Sequence, residues 1–186
     1  MNKVLIYGAP GVGKSSTTQL LGDLLDLPIF EGDYLREHVA QQQKSEAEDP
    51  FLYVGTKEAW KKFGDFNPDN VIKGLLAVRK SMLNYVNREL STHKSIIFEV
   101  SFLTPQIYSD EFPLILLVTH DESKHRKQFF SKRPESHITE QGFTAARIIQ
   151  DYLIKEASDL NVYIVENSTS LKAASERITL ALSNAY

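Results

Sequence analysis

The chain contains no cysteine. That absence excludes a disulfide framework, a thiolate metal site and a thiol nucleophile, and it suits a reducing compartment. There is no excess of positive charge either, since 21 Lys and Arg stand against 24 Asp and Glu for a net charge of −3. This balance argues against a general nucleic-acid coat or a polybasic membrane anchor, and leaves room only for local basic clusters. The N-terminus lacks the basic stretch, apolar run and cleavage site of a signal peptide, and no apolar run approaches the roughly 18 residues of a membrane span. The five histidines show no His-Glu-x-x-His or comparable spacing, so no zinc site is expected. These absences together predict a cytoplasmic protein that makes no membrane contact.

What remains is a globular composition. Of 186 residues, 42% are apolar and 24% charged. At about 150 residues per domain, this predicts a single domain with its own core over residues 1–186. No internal repeat or low-complexity tract interrupts it.

Short apolar runs suited to strands buried on both faces recur at Lys3–Tyr7, Pro28–Phe30, Ser95–Glu99, Phe112–Val118 and Val162–Val165. Helical patterns separate them. Leucines 20, 21, 24, 25 and 27 run up to Pro28, and a polar helix is predicted from Asp33 to Gln43. Asn67-Pro68 has the form of an N-cap with proline at the first helical position, opening the longest helix through Val71, Ile72, Leu75, Leu76, Met82, Leu83, Val86 and Leu90. Thr104-Pro105 marks another helix start, and further helices are predicted over 121–132, 143–157 and 171–182. Lys44–Pro50 has few large apolar side chains and is expected to be a loop. Five strands alternating with helices predict an α/β fold: a doubly wound, mostly parallel sheet that binds ligands beyond the carboxyl ends of its strands.

At the first strand end, Gly8-Ala9-Pro10-Gly11-Val12-Gly13-Lys14-Ser15 satisfies Gly-x4-Gly-Lys-Ser between a strand and a helix, as a phosphate-binding loop of the P-loop NTPase type requires. The glycines let successive N–H groups turn inward as an anion nest, and the positive end of the following helix favours phosphate. Lys14 is expected to reach the β- and γ-phosphates of a nucleotide, and the Ser15 hydroxyl to ligate the Mg2+ that bridges them, with Ser16 completing the loop. A guanine-nucleotide switch is disfavoured, because neither Asp-x-x-Gly after a strand nor Asn-Lys-x-Asp occurs.

Asp33 follows the second strand, with Arg36 one helical turn on. A carboxylate there can orient or deprotonate an acceptor hydroxyl, while an arginine can grip an acceptor anion bidentately. As alternatives, Asp33 serves as a helix cap and Arg36 as a solvated side chain. Glu99 ends the third strand, where it holds a magnesium-bound water, contacts the acceptor, or simply pairs with a lysine. Arg126 and Arg133, seven residues apart, share one face of a predicted helix. Within a lid-like 121–142 segment they could close over the charge of phosphoryl transfer, or form an ordinary solvated basic face. Asn167-Ser168-Thr169 matches a glycosylation acceptor, but reads better as the helix start after the last strand, beside a nucleotide base by fold analogy.

Taken together, these segments resemble the P-loop kinases of the adenylate-kinase-like class, and more narrowly the kinase domain of 2-phosphoglycerate kinase. The resemblance rests on Glu31–Glu37 (EGDYLRE), Tyr53–Trp60 (YVGTKEAW), Asn70–Gly74 (NVIKG), Ile97–Pro105 (IFEVSFLTP) and the 121–133 stretch. It implies ATP-dependent phosphorylation of a hydroxyl on a small phosphorylated acid, with residues 38–92 as a helical acceptor-side insertion and Arg36 and Lys73 neutralising acceptor anions. Val100 and Phe102 stand where that family has Gly and His, and Phe102 has no hydrogen bond to offer an anion. Two other readings remain open: a nucleoside, nucleotide or polynucleotide-end kinase, and a nucleotide-binding switch that uses residues 38–66 to meet a partner. No feature of the sequence specifies the oligomeric state.

Overall fold

The computed structural model describes residues 3–131 and 139–185. Five strands, β1 (Lys3–Tyr7), β2 (Ile29–Glu31), β3 (Ile96–Val100), β4 (Leu114–Val118) and β5 (Tyr163–Glu166), form one sheet in the order β2-β3-β1-β4-β5. Every pairing is parallel, with Tyr7 opposite both Val100 and Leu116, and Glu31 opposite Glu99. The predicted doubly wound α/β sheet is therefore present. β3 and β4 are buried along their whole length, which is why they read as unbroken apolar runs.

The helices are α1 (Lys14–Leu25), α2 (Gly32–Tyr34), α3 (Pro68–Thr92), α4 (Pro105–Tyr108), α5 (Glu122–Ser131), α6 (Glu140–Asp159) and α7 (Leu171–Ala185). α1 packs against α7 and α3 against α6, giving helical layers that flank the sheet. Among the described residues no helix is long and apolar enough to cross a membrane.

The punctuation residues act as expected at the longest helix. Asn67 Oδ1 accepts from the Asn70 N–H at 2.9 Å and Pro68 opens α3, a cap that contributes about 1 kcal/mol. The buried stripe of α3 runs through Val71, Leu75, Val78, Met82, Tyr85, Val86 and Leu90. Leu76, expected on that face, is 43% exposed, because it lies off the i, i+3/i+4 row that meets the core.

Four segments depart from the predicted pattern. The polar helix expected over 33–43 is only the short turn α2, continued by a π-helical Leu35–Ala40. Residues 50–52 and 59–63 form 3-10 turns. β4 begins at Leu114 rather than Phe112, since Pro113 has no N–H for the ladder and offers only its carbonyl, which accepts from Leu5 N at 2.9 Å.

α3 and α6 are joined by a buried ion pair. Arg79 donates to both oxygens of Glu156 at 2.8 and 2.7 Å, and Gln106 of α4 donates to Glu156 Oε1 at 2.7 Å.

Candidate active site

β1 lies between β3 and β4, so the loop that leaves it emerges at the middle of the sheet's carboxyl edge. Gly11 and Gly13 adopt φ of 90° and 88°, the left-handed region that glycine enters without strain. Neither position has room for a side chain. A Cβ on Gly11 would stand 2.9 Å from Phe129 Cβ, and one on Gly13 would stand 2.3 Å from Asn167 Nδ2.

The loop's carbonyls are tied from behind. Val12 O accepts from Asn167 Nδ2 at 2.8 Å and from Thr119 Oγ1 at 3.2 Å, while His125 Nε2 lies 2.9 Å from Pro10 O. Backbone carbonyls tied back in this way are what an anion nest of N–H groups requires.

Lys14 is 8% exposed; its Nζ donates to Ala9 O at 3.3 Å and stands 3.9 Å from Glu99 Oε1. Glu99 is buried, and its Oε2 has no hydrogen-bond partner among the described residues. Burial raises the Glu99 carboxyl above its usual range, opposed by the Lys14 ammonium and the Ser15 hydroxyl and reinforced by Glu31 and Asp33.

Two cavities meet at this point. One, of about 460 Å³, is bounded by Gly11, Gly13, Lys14, Ser15 and Ser16, by Lys124, Gln128 and Ser131 of α5, and by Thr169, Ser170 and Leu171 before and at the start of α7. The other, of about 580 Å³, is bounded by Arg36, Gln41, Tyr53, Thr56, Lys57 and Ser101 together with Pro10. Lys14 and Asp33 line both. A cleft of about 30 Å³ beside them brings Ser15, Glu31, Asp33 and Glu99 together. A larger cavity, about 750 Å³, opens between residues 43–51 and α3, and it includes neither the phosphate loop nor Asp33.

Most of the residues singled out from the sequence converge here. Gly11, Gly13, Lys14, Ser15, Ser16, Asp33 and Glu99 line the first cavity, and Arg36 and Pro10 the second. Gly8, Ala9 and Val12 form the loop's back: Ala9 and Val12 are fully buried, and a Cβ on Gly8 would stand 2.4 Å from Leu117 O.

Two residues are placed elsewhere. Lys73 is exposed on α3 and lines neither cavity. Arg126 pairs with Glu140, with its guanidinium 5.2 Å from the Phe130 ring and 5.1 Å from that of Phe143. Arg133 lies outside the described residues.

Sequence reasoning missed Lys57, Thr56, Tyr53 and Gln41 on the second cavity, and Lys124 and Gln128 on the first. Lys124, Gln128 and Ser131 share a face of α5 at i, i+4, i+7 spacing, as Arg126 shares another with Phe130. What decides between those faces is that Phe129 packs against Gly11, which no periodicity could reveal.

No known family model matches the chain. Mevalonate-3-phosphate 5-kinase of Thermoplasma acidophilum is 27% identical over 159 residues, 80% of this chain and 77% of that protein. Among solved structures, shikimate kinase from Acinetobacter baumannii in complex with shikimate superimposes with a TM-score of 0.62 at 14% identity, covering 99% of this chain and 94% of that one. Deoxyadenosine kinase from M. mycoides with bound dATP gives 0.56 at 17% identity, covering 97% and 99%. The chain has the fold of the P-loop kinases. Within that fold, a gluconokinase from Sinorhizobium meliloti 1021 also matches, with a TM-score of 0.52 at 14% identity over 99% and 93% of the two chains. These relatives name different acceptors, and the narrower resemblance to 2-phosphoglycerate kinase gains no support from them.

Proposed function

We propose that this P-loop kinase transfers the γ-phosphoryl group of ATP to a hydroxyl of a small anionic acceptor, a phosphorylated carboxylate. One observation carries the reading: Lys14 and Asp33 line both the phosphate-loop cavity and the polar cavity next to it. A donor phosphate and an acceptor hydroxyl bound in adjoining chambers meet at those two side chains.

The acceptor oxygen attacks the γ-phosphorus, the bond from that phosphorus to the β,γ-bridging oxygen breaks, and ADP leaves. Asp33 accepts the hydroxyl proton. Its side chain is 69% exposed and within reach of an incoming substrate. Lys14 neutralises charge on the transferring group, and the inward N–H groups of residues 11–16 hold the β-phosphate.

Mg2+ fits beside them. Ser15 supplies a hydroxyl, and the buried, unpartnered Oε2 of Glu99 faces a need for a donor that a metal-bound water would meet. Bound there with ATP, the ion would draw charge from the β- and γ-oxygens.

In this reading residues 38–92 build the acceptor wall, and Lys124 and Gln128 of α5 face the nucleotide. The acceptor class is supported from two sides. Arg36 stands in the wall of the second cavity, and the T. acidophilum relative is named for a phosphorylated carboxylate. Mevalonate 3-phosphate and 2-phosphoglycerate are both of that class.

The test is ³¹P NMR of the protein with Mg-ATP and a panel of 2-phosphoglycerate, mevalonate 3-phosphate, shikimate, gluconate and deoxynucleosides, against a control without acceptor. A new phosphoryl resonance with a phosphorylated carboxylate is expected. Phosphate appearing only as free inorganic phosphate, whatever is added, would refute the reading.

A further inference from the structure

The cavity of about 750 Å³ between residues 43–51 and α3 is larger than either active-site cavity, and the proposed transfer makes no use of it. Its size is that of a small-molecule site. The floor is one face of α3. Lys80, Asn84 and Arg88 recur there at i, i+4, i+8, while Ala77 and Ser81, both small, leave the space beside them. Eight residues of helix set the two cations about 12 Å apart along the axis, with the Asn84 amide midway. The opposite face of α3 is buried through Val78, Met82 and Val86, which fixes that floor.

The charged groups around the cavity are unequally engaged. Asp49 Oδ1 accepts from Ser81 Oγ at 2.8 Å, and its Oδ2 lies 3.8 Å from Lys44 Nζ. Glu48 Oε2 accepts from the Ser45 N–H at 2.8 Å and from its hydroxyl at 2.7 Å. Both carboxylates thus have donors of their own. Lys80 and Arg88 pair with no carboxylate among the described residues.

Tyr85 is an independent sign of a ligand. It is 8% exposed and lines the cavity, yet its hydroxyl has no hydrogen-bond partner among the described residues. A largely buried phenol with no partner in its own chain is a donor for whatever fills the cavity.

We infer that this cavity is a second binding site, taking a small molecule with two phosphoryl groups on a carbon skeleton, and that its occupant regulates the acceptor half of the active site. One phosphoryl group meets Lys80 and the other Arg88, whose planar fork takes two oxygens at once. Asn84 and Tyr85 donate to the oxygens between them. A ligand with one phosphoryl group reaches only one of the cations.

The regulatory half rests on the kinase reading and follows from a shared wall. Lys44 and Phe51 line this cavity, and Gln41 and Tyr53 of the same segment line the acceptor's. The Tyr53 hydroxyl lies 2.7 Å from Lys44 O and 3.1 Å from Gln41 O, and with one hydrogen it donates fully to only one of them. Gln41 Nε2 donates to Leu52 O at 2.7 Å, which closes the segment on itself. An anion that draws Lys44 toward Lys80 shifts the Tyr53 hydrogen bond, and with it two side chains of the acceptor wall. Effector and acceptor then change one another's affinity by the same factor.

The experiment is calorimetric titration of the full chain, saturated with Mg2+ and a non-hydrolysable ATP analogue so that the phosphate loop is filled. Fructose 1,6-bisphosphate, fructose 6-phosphate and inorganic phosphate are the probes. One bisphosphate should bind per chain, at least about tenfold more tightly than the monophosphate. Lys80→Gln and Arg88→Gln should each remove most of that margin, and Tyr85→Phe should weaken binding severalfold. Lys80 and Arg88 are exposed, so these variants leave the core intact. Arg36→Gln, in the acceptor cavity, should not alter bisphosphate binding. In ¹³C-tyrosine NMR the Tyr85 and Tyr53 ring signals should both move, and the KM for the acceptor should change by about threefold or more with kcat unaltered.

Failure of the bisphosphate to bind, or equal affinity for bisphosphate and monophosphate, would overturn the inference. So would binding that survives the Lys80→Gln/Arg88→Gln double variant, binding lost in Arg36→Gln instead, or a Tyr53 signal that stays in place. If no acceptor gains phosphate in the ³¹P panel, the kinase reading fails, while the titration and the Tyr53 signal still decide the second site and its coupling.

Discussion

Lys14 Nζ stands 3.9 Å from Glu99 Oε1, so the ammonium that meets the phosphates is already held by a nearly buried carboxylate on the neighbouring strand. Because burial holds the Glu99 carboxyl up, the loss of Lys14 can be met by protonation of Glu99 rather than by unfolding. Lys14→Met is therefore expected to stay folded and to lose at least about a hundredfold in phosphoryl transfer. Circular dichroism and acceptor-dependent ADP release check the two halves. A variant that turns over at the parent rate would remove Lys14 from the chemistry.

Asp33 Oδ1 is 3.5 Å from Arg36, at the point where the two cavities meet. Asp33→Asn keeps its size and should leave ATP affinity within about twofold while cutting transfer by about 10²–10⁴. Nucleotide titration and single-turnover transfer separate these quantities. Parallel loss of both would assign Asp33 to nucleotide binding instead.

Arg79 and Glu156 are 3% and 5% exposed at their side chains, and they link α3 to α6 through two hydrogen bonds. Arg79→Met alone leaves a carboxylate buried with, among the described residues, only Gln106 and Tyr152 to serve it, and should cost about 3–5 kcal/mol. Adding Glu156→Met should recover much of that loss, because two apolar side chains need no counter-charge. Urea denaturation of the two variants decides. A double variant less stable than Arg79→Met would show that the pair is worth more than its desolvation costs.

Tyr108 gives a pH dependence of stability. Burial pushes its phenol up to about 12, and its hydroxyl donates to Asn87 Oδ1 at 2.5 Å. An unfolded chain releases that proton near pH 10. Since the unfolded state ionises first, this contribution to stability is complete below about pH 10 and is lost progressively between about 10 and 12. Tyr108→Phe should cost about 1 kcal/mol at pH 7 and flatten the alkaline fall in stability. Tyr7 and Tyr152, also raised by burial, will account for part of the slope that remains. Denaturation curves at a series of pH values test this, and an unchanged alkaline slope would contradict it.

The legible part of the molecule was the part built from local patterns. Lys3–Tyr7, the glycine loop and α1 announce one another within 25 residues, and Asn67-Pro68 marks its own helix. The acceptor wall carries no such signal. It draws on Arg36, Gln41, Tyr53, Lys57 and Ser101 from a π-helical turn, loops and a strand end, segments in which neither period 2 nor period 3.6 holds. Lys73 had the right charge and lay in a matching stretch, but α3 turns it to solvent. On α5 the basic residue that faces the nucleotide cavity is Lys124 rather than Arg126, a difference set by how Phe129 seats against the phosphate loop.

The carbonyls of Pro10 and Val12 are already engaged by His125, Thr119 and Asn167, three side chains from outside the loop. The ordering cost of the phosphate cradle is thus met when the chain folds, not when nucleotide arrives. ATP should dock onto this template without remodelling it, so any slow, rate-setting rearrangement in the cycle falls to the acceptor half of the cleft. The two substrates would then differ kinetically, with the nucleotide entering a rigid mould and the acceptor a yielding one.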